Sequence, residues 1–182
     1  MICHNWNGFR RELAEYMAEH QIPESEFRFL GIYEWQNIYN KILNRFVDGK
    51  YALGHGLHWA NIEDGFKKDI DSIYDFAYQH KDSYKWLEKL PDIVKCDKVY
   101  LLLEDGERQY SKYWIAECIP SVVHLVINDT YLSEDYYITD KKFNWLITEN
   151  HHEIVHIIGK GLDRKTIETV VFSKSATAFI RH

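Results

Sequence analysis

An α+β fold follows from three observations on the 182-residue chain. Apolar residues recur at helical spacing through the first half. They alternate, or form short β-branched runs, through the second. The change of pattern comes just after Pro91. Helices first and strands later is the order of an antiparallel sheet with helices gathered on one face. We read one domain over residues 1–182, mainly helical over 1–92 and mainly β over 93–182.

Taking the elements in order, residues 6–20 carry Phe9, Leu13, Tyr16 and Met17 at helical spacing, and Pro23 marks a break. Residues 32–46, IYEWQNIYNKILNRF, set Ile32, Trp35, Ile38, Tyr39, Ile42, Leu43 and Phe46 on one helical face. Gly49 follows in the capping region. YALGHGLHW reads as an irregular connection. Residues 62–90 read as one or two helices, broken near His80 to Ser83, with Asp82 or Ser83 as a cap. DKVYLLLEDG and QYSKYWIAEC then suit two strands joined by a turn at Glu104-Asp105-Gly106. IPSVVHLVINDTYLS fits either element type, with Pro120 and Ser121 favouring a helix start. DYYIT, KFNWLITEN and EIVHIIG supply three more strands. DRKTIETVVFSKSATAFI reads as a closing helix, although its β-branched residues oppose one. The expected core is Trp35, Ile38, Ile42, Phe46, Leu102, Trp114, Trp145 and Ile157.

Net charge is −6, from 28 acidic and 22 basic residues, and the strongest basic signals are only the pairs Lys67-Lys68 and Lys141-Lys142. Nucleic-acid binding needs a basic patch to neutralise phosphates, so it is not expected. An acidic chain suits a basic protein partner. Aromatics at 15% could serve a binding face, though a Tyr-rich core is the plainer account. Three cysteines, with no C-x-x-C, do not form a secreted disulfide framework. No leader-like apolar segment opens the chain, and no window reaches 18 apolar residues, so a cytoplasmic, membrane-free protein is expected.

One motif names a reaction. His152-Glu153-Ile154-Val155-His156 spells H-E-x-x-H. On a helix, residues four apart stack, so His152 and His156 could hold Zn²⁺ with Glu153 as base. Gly159 sits where the longer motif wants glycine, but the third histidine would fall at Leu162. Asp163, Glu168 or His182 would have to replace it. Against this, four of the five residues from Ile154 to Ile158 are β-branched. The preceding FNWLITEN alternates, and ENHHE suits a hairpin connection. In a strand, residues four apart lie about 13 Å apart, too far to chelate one ion. We therefore expect residues 143–149 and 154–158 to pair through a turn at 150–153. No cofactor is expected, with zinc as the alternative.

At that hairpin tip, Asn150, His151 and His152 are the candidate binding residues. The plainer account is that Asn150 supplies the turn and the histidines are solvated. His55 and His58 have H-x-x-H spacing but suit a solvated turn. Glu63, Asp64, Asp69, Asp71 and Asp75 suit a solvated helix face. No phosphate-loop, dinucleotide or nucleophile-elbow motif occurs, and no Cys/His nucleophile can be argued, so no catalytic residue is assigned.

The stretch over residues 113–161 carries a resemblance. YWI, then Tyr136, Tyr137, Ile138, Lys141, Lys142, Trp145, Leu146, Asn150, His151 and His152, resembles an uncharacterised family of small bacterial proteins. In that family the second histidine of the apparent zinc motif is not required, which implies a hairpin. The layout is also similar to the SUKH superfamily of α+β proteins, many of them toxin-neutralising immunity proteins. That likeness rests on architecture and acidity alone. The expected function is a non-enzymatic cytosolic binding protein, of immunity type or facing another basic partner. A zinc-dependent hydrolase is the alternative.

Overall fold

The computed structural model describes residues 8–47, 57, 72–77, 83–104, 113–130, 135–150, 154–162 and 165–167. Four α-helices appear there: α1 (Gly8–Glu19), α2 (Ile32–Phe46), α3 (Leu90–Val94) and α4 (Pro120–Thr130). A 3-10 helix, Ser83–Lys89, runs into α3. Seven strands follow the chain as β1 (Phe27–Phe29), β2 (Ser72–Ala77), β3 (Val99–Glu104), β4 (Tyr113–Cys118), β5 (Tyr136–Asp140), β6 (Trp145–Glu149) and β7 (Ile154–Gly159). They form one antiparallel sheet in the order β1-β4-β3-β5-β6-β7-β2. The α+β class is as the sequence indicates, and helices α1 and α2 precede most of the sheet.

The middle strands are buried along both faces, as VYLLL, YYITD and WLITE indicate by their lack of polar alternation. Register assigns the faces. Val99, Leu101 and Leu103 share one with Ala116, Cys118, Tyr136, Ile138, Trp145, Ile147, Val155 and Ile157. Leu13 and Met17 of α1, Trp86 and Leu87 of the 3-10 helix, Leu90 of α3 and Val123 of α4 cover that face. Tyr100, Leu102, Ile115, Tyr137, Leu146 and Ile158 share the other, under Ile38, Ile42 and Phe46 of α2. The helices thus lie on both faces, where the sequence reading puts them on one. Each face is apolar enough to need a cover, and one layer could satisfy only one of them.

Two strands correct the sequence reading. Ser72–Ala77 is a strand, not part of a helix, and pairs with β7. Ile70, Ile73 and Ala77 mimic helical spacing, but Ile73, Tyr74 and Phe76 also suit a strand. Without β2, the apolar β7 would be an open edge. Phe27–Phe29, too short for a readable pattern, pairs with β4 at the opposite edge. Residues 1–92 therefore hold two strands as well as helices. Of the expected core, Ile38, Ile42, Phe46, Leu102, Trp145 and Ile157 are buried, while Trp35 and Trp114 are half-buried. The Trp35 indole donates to the Tyr113 carbonyl at 2.7 Å. Of the expected closing helix, only a turn at 165–167 falls among the described residues.

An ion-pair chain fixes one end of the sheet. Glu117 accepts Lys98 Nζ at 3.1 Å and Lys141 Nζ at 2.8 Å, with Arg28 3.6 Å away. Arg28 grips both Glu34 oxygens at 3.1 Å, and Glu34 also accepts the Gly31 N–H that opens α2. Burial pushes the Glu117 carboxyl up, but hydrogen bonds from Lys141 and Lys98 outweigh it and hold it below its ordinary value. A depressed folded-state pKa adds stability above the unfolded value, and this is lost as pH falls through the folded one. The melting-temperature gap between wild type and Glu117→Gln should therefore be largest near neutrality and shrink below about pH 4. A gap unchanged from pH 7 to pH 2.5 would show that the pair contributes no pH-linked stability.

Candidate functional site

The sheet end opposite Glu117 holds the hairpin expected from sequence. In β6 and β7, Glu149 pairs with Val155, Thr148 with His156 and Ile147 with Ile157. The connection begins at Asn150, which is buried, and runs to Ile154. His151, His152 and Glu153 lie outside the described residues, as do His55, His58, Glu63, Asp64, Asp69, Asp71, Asp82, Cys3, Asp163, Glu168 and His182. Asp75 is in β2, as the register partner of His156.

His156 stands within β7 at 7% exposure, on the α2 face of the sheet with Thr148 beside it. Ile154–Gly159 is extended, so the helix that the zinc motif requires is not formed there.

The last residue of β6 is a group that sequence reasoning did not single out. Glu149 is 0% exposed. The Trp86 indole donates to its Oε2 at 3.0 Å, and the hydroxyl of Tyr136, its register partner on β5, donates to the same oxygen. A buried carboxylate needs such donors, since it has left water behind. The indole comes from the 3-10 helix and the phenol from the neighbouring strand, so two elements hold a carboxylate carried by a third. Asp135, also buried, directly precedes β5, and its carbonyl accepts the Glu104 N–H at 3.1 Å. Glu104 closes β3, Asp135 immediately precedes β5 and Glu149 closes β6, so the three stand at the same end of adjacent strands, with Glu104 and Glu149 on opposite faces. The one sequence signal was a glutamate closing an otherwise uncharged strand just before a polar turn.

Two described cysteines and two buried tyrosines are held in their protonated forms. Burial, then Asp140 and Asp97, pushes the Cys96 thiol up, and burial raises that of Cys118 further. Neither is a ready thiolate. Burial likewise pushes the Tyr113 and Tyr137 phenols well up. The Tyr113 hydroxyl donates to the Leu57 carbonyl and lies 3.5 Å from that of Tyr137. Among the described residues no three His, Cys, Asp or Glu side chains are grouped to hold a metal. No described helix is long and apolar enough to cross a membrane.

A family model described as a family of unknown function (DUF6756) matches residues 5–170. This fits the uncharacterised family that the strand-and-hairpin pattern resembles. No curated protein and no solved structure matches the chain.

Proposed function

The chain belongs to this DUF6756 family, and we propose that it is a non-enzymatic binding protein that receives a basic protein partner at the hairpin end of its sheet. The observation that supports the reading is that Glu104, Asp135 and Glu149 stand at the same end of three adjacent strands, the end where the hairpin begins, with Glu104 and Glu149 on opposite faces of the sheet. In a chain of net charge −6, acidic residues at one end of the sheet suit a cationic partner surface, and of the three only half-buried Glu104 has more than slight exposure. Trp86 and Tyr136 fix Glu149 at the end of β6, one residue before Asn150. Of the three candidate residues, His151 and His152 would meet the partner directly, while buried Asn150 would serve as the start of the connection. An immunity-type role, neutralising a basic toxin as SUKH-like proteins do, is the specific form of this reading.

Site-specific photo-crosslinking in cells tests it. A crosslinker at position 152 should capture one basic polypeptide, and a crosslinker at Tyr33, 93% exposed on α2, should not. Purified wild type should bind that polypeptide in a salt-sensitive manner, and His151→Ala with His152→Ala should abolish binding while the melting temperature holds. No adduct, equal adducts from both positions, or an acidic captured chain would overturn the proposal. The zinc-hydrolase alternative predicts near-stoichiometric zinc in untagged protein. The extended backbone over Ile154–Gly159 speaks against it, and elemental analysis should find far less than one zinc per chain.

A further inference from the structure

The opposite end of the sheet carries a groove of the reverse charge. Three segments build it: the turn from Val94 to Lys98 ahead of β3, the β5–β6 turn from Asp140 to Asn144, and Lys160-Gly161 after β7. Its volume is about 700 Å³, and buried Trp145 is among its lining residues. Five lysines line it, Lys95, Lys98, Lys141, Lys142 and Lys160, against two aspartates, Asp97 and Asp140. This is a local reversal of sign in a chain of net charge −6.

Two of the three carboxylates nearby, Asp140 and Glu117, are engaged, and exposed Asp97 offsets part of the lysine charge. Asp140 accepts the Asn144 backbone N–H and its side-chain amide, each at 2.6 Å, which closes the β5–β6 turn. Glu117 holds Lys98 and Lys141. Lys95 and Lys142 are exposed and make no ion pair among the described residues. The walls are fixed as well. Lys160 N–H donates to the Asn144 carbonyl at 2.9 Å. Lys95 itself has φ 42°, in the left-handed region that a lysine rarely occupies.

From this geometry we infer that the groove binds a small organic polyanion, one bearing clustered phosphate or carboxylate groups. The volume is that of a small-molecule site rather than an extended protein interface. Ammonium groups on long stems act as mobile point charges, which suits clustered anionic oxygens in varied arrangements. Val94, Cys96 and Trp145 give the carbon skeleton an apolar surface to rest on. The site is separate from the hairpin end and stands or falls independently of the partner proposed there.

Calorimetric titration of the whole chain with pyrophosphate, and separately with citrate, tests the inference at 50 mM salt. At least one probe should bind with one-to-one stoichiometry. The Lys95→Glu, Lys142→Glu double variant should weaken it tenfold or more, with the melting temperature held, because both side chains are exposed. Lys89→Glu, an exposed charge reversal outside the groove, should leave binding within twofold. Pyrophosphate alone binding assigns phosphate chemistry, and citrate alone assigns carboxylate chemistry. No saturable binding of either probe, binding only of an acidic peptide such as hexaglutamate, or equal losses in the Lys89 control and the groove variant would overturn it.

Discussion

Replacing Gly159 with alanine is expected to destabilise the protein by about 3–5 kcal/mol, from overpacking and backbone strain together. A Cβ on this residue would stand 2.2 Å from the Asn144 carbonyl oxygen and 2.7 Å from the Trp145 Cα. Both are backbone atoms of the neighbouring chain segment, so no side-chain rotation relieves the clash. Gly159 also has φ 106°, outside the region that L residues occupy readily. To admit the methyl, β7 would have to draw away from the start of β6, disturbing the Trp145–Gly159 pairing and the Lys160–Asn144 hydrogen bond. Gly161 supplies the internal comparison. Its φ of 93° carries strain, but no atom lies within 4 Å of a Cβ there. Gly161→Ala should therefore cost only about 1 kcal/mol. Urea denaturation of the two variants measures the difference. Equal midpoints would show that the close approach at Gly159 relaxes freely.

That pair of glycines also marks how far a sequence can be read. The HExxH-x-x-G pattern gave Gly159 a role in a metal motif, whereas the structure gives it a steric one, forced by contact with β6. The strands β3 to β7 were legible because their apolar runs are local, and α2 because its apolar stripe repeats over 15 residues. β1 and β2 were not. Each is held in the sheet by a partner distant in sequence, Phe27 by Cys118 and Ala77 by Ile154, and no local period records such pairing. The second helical layer was equally hidden, since an uninterrupted VYLLL does not say which element covers which face. At the hairpin end, the turn at Asn150 could be read but its foundation could not, because Trp86 is 63 residues from Glu149. The lysine groove escaped for the same reason. Along the chain only the pairs Lys67-Lys68 and Lys141-Lys142 stand out, and only the second lines the groove. The turns bring Lys95, Lys98 and Lys160 to that pair across three connections.

Trp145→Ala is the second large effect expected, about 3–5 kcal/mol, the range for deleting an enclosed large aromatic side chain. Trp145 is 3% exposed and belongs to the cluster beneath α1, α3 and α4. It stands on the first residue of β6, between the core and the lysine groove. Alanine there would leave a cavity whose walls belong to several elements, so collapse of any one cannot fill it. The backbone would keep its role, since the Trp145 carbonyl accepts the Thr139 hydroxyl at 2.6 Å whatever the side chain. The loss should therefore scale with ring volume, and Trp145→Phe should cost clearly less than Trp145→Ala. For a chain of this length the alanine variant should melt roughly 10 °C lower. Urea midpoints of the two variants separate this from a hydrogen-bond effect. Equal losses for Phe and Ala would point to some feature of the indole other than its volume. A loss below about 1 kcal/mol for alanine would mean that the sheet end closes over the gap, and that the groove does not depend on the ring beneath it.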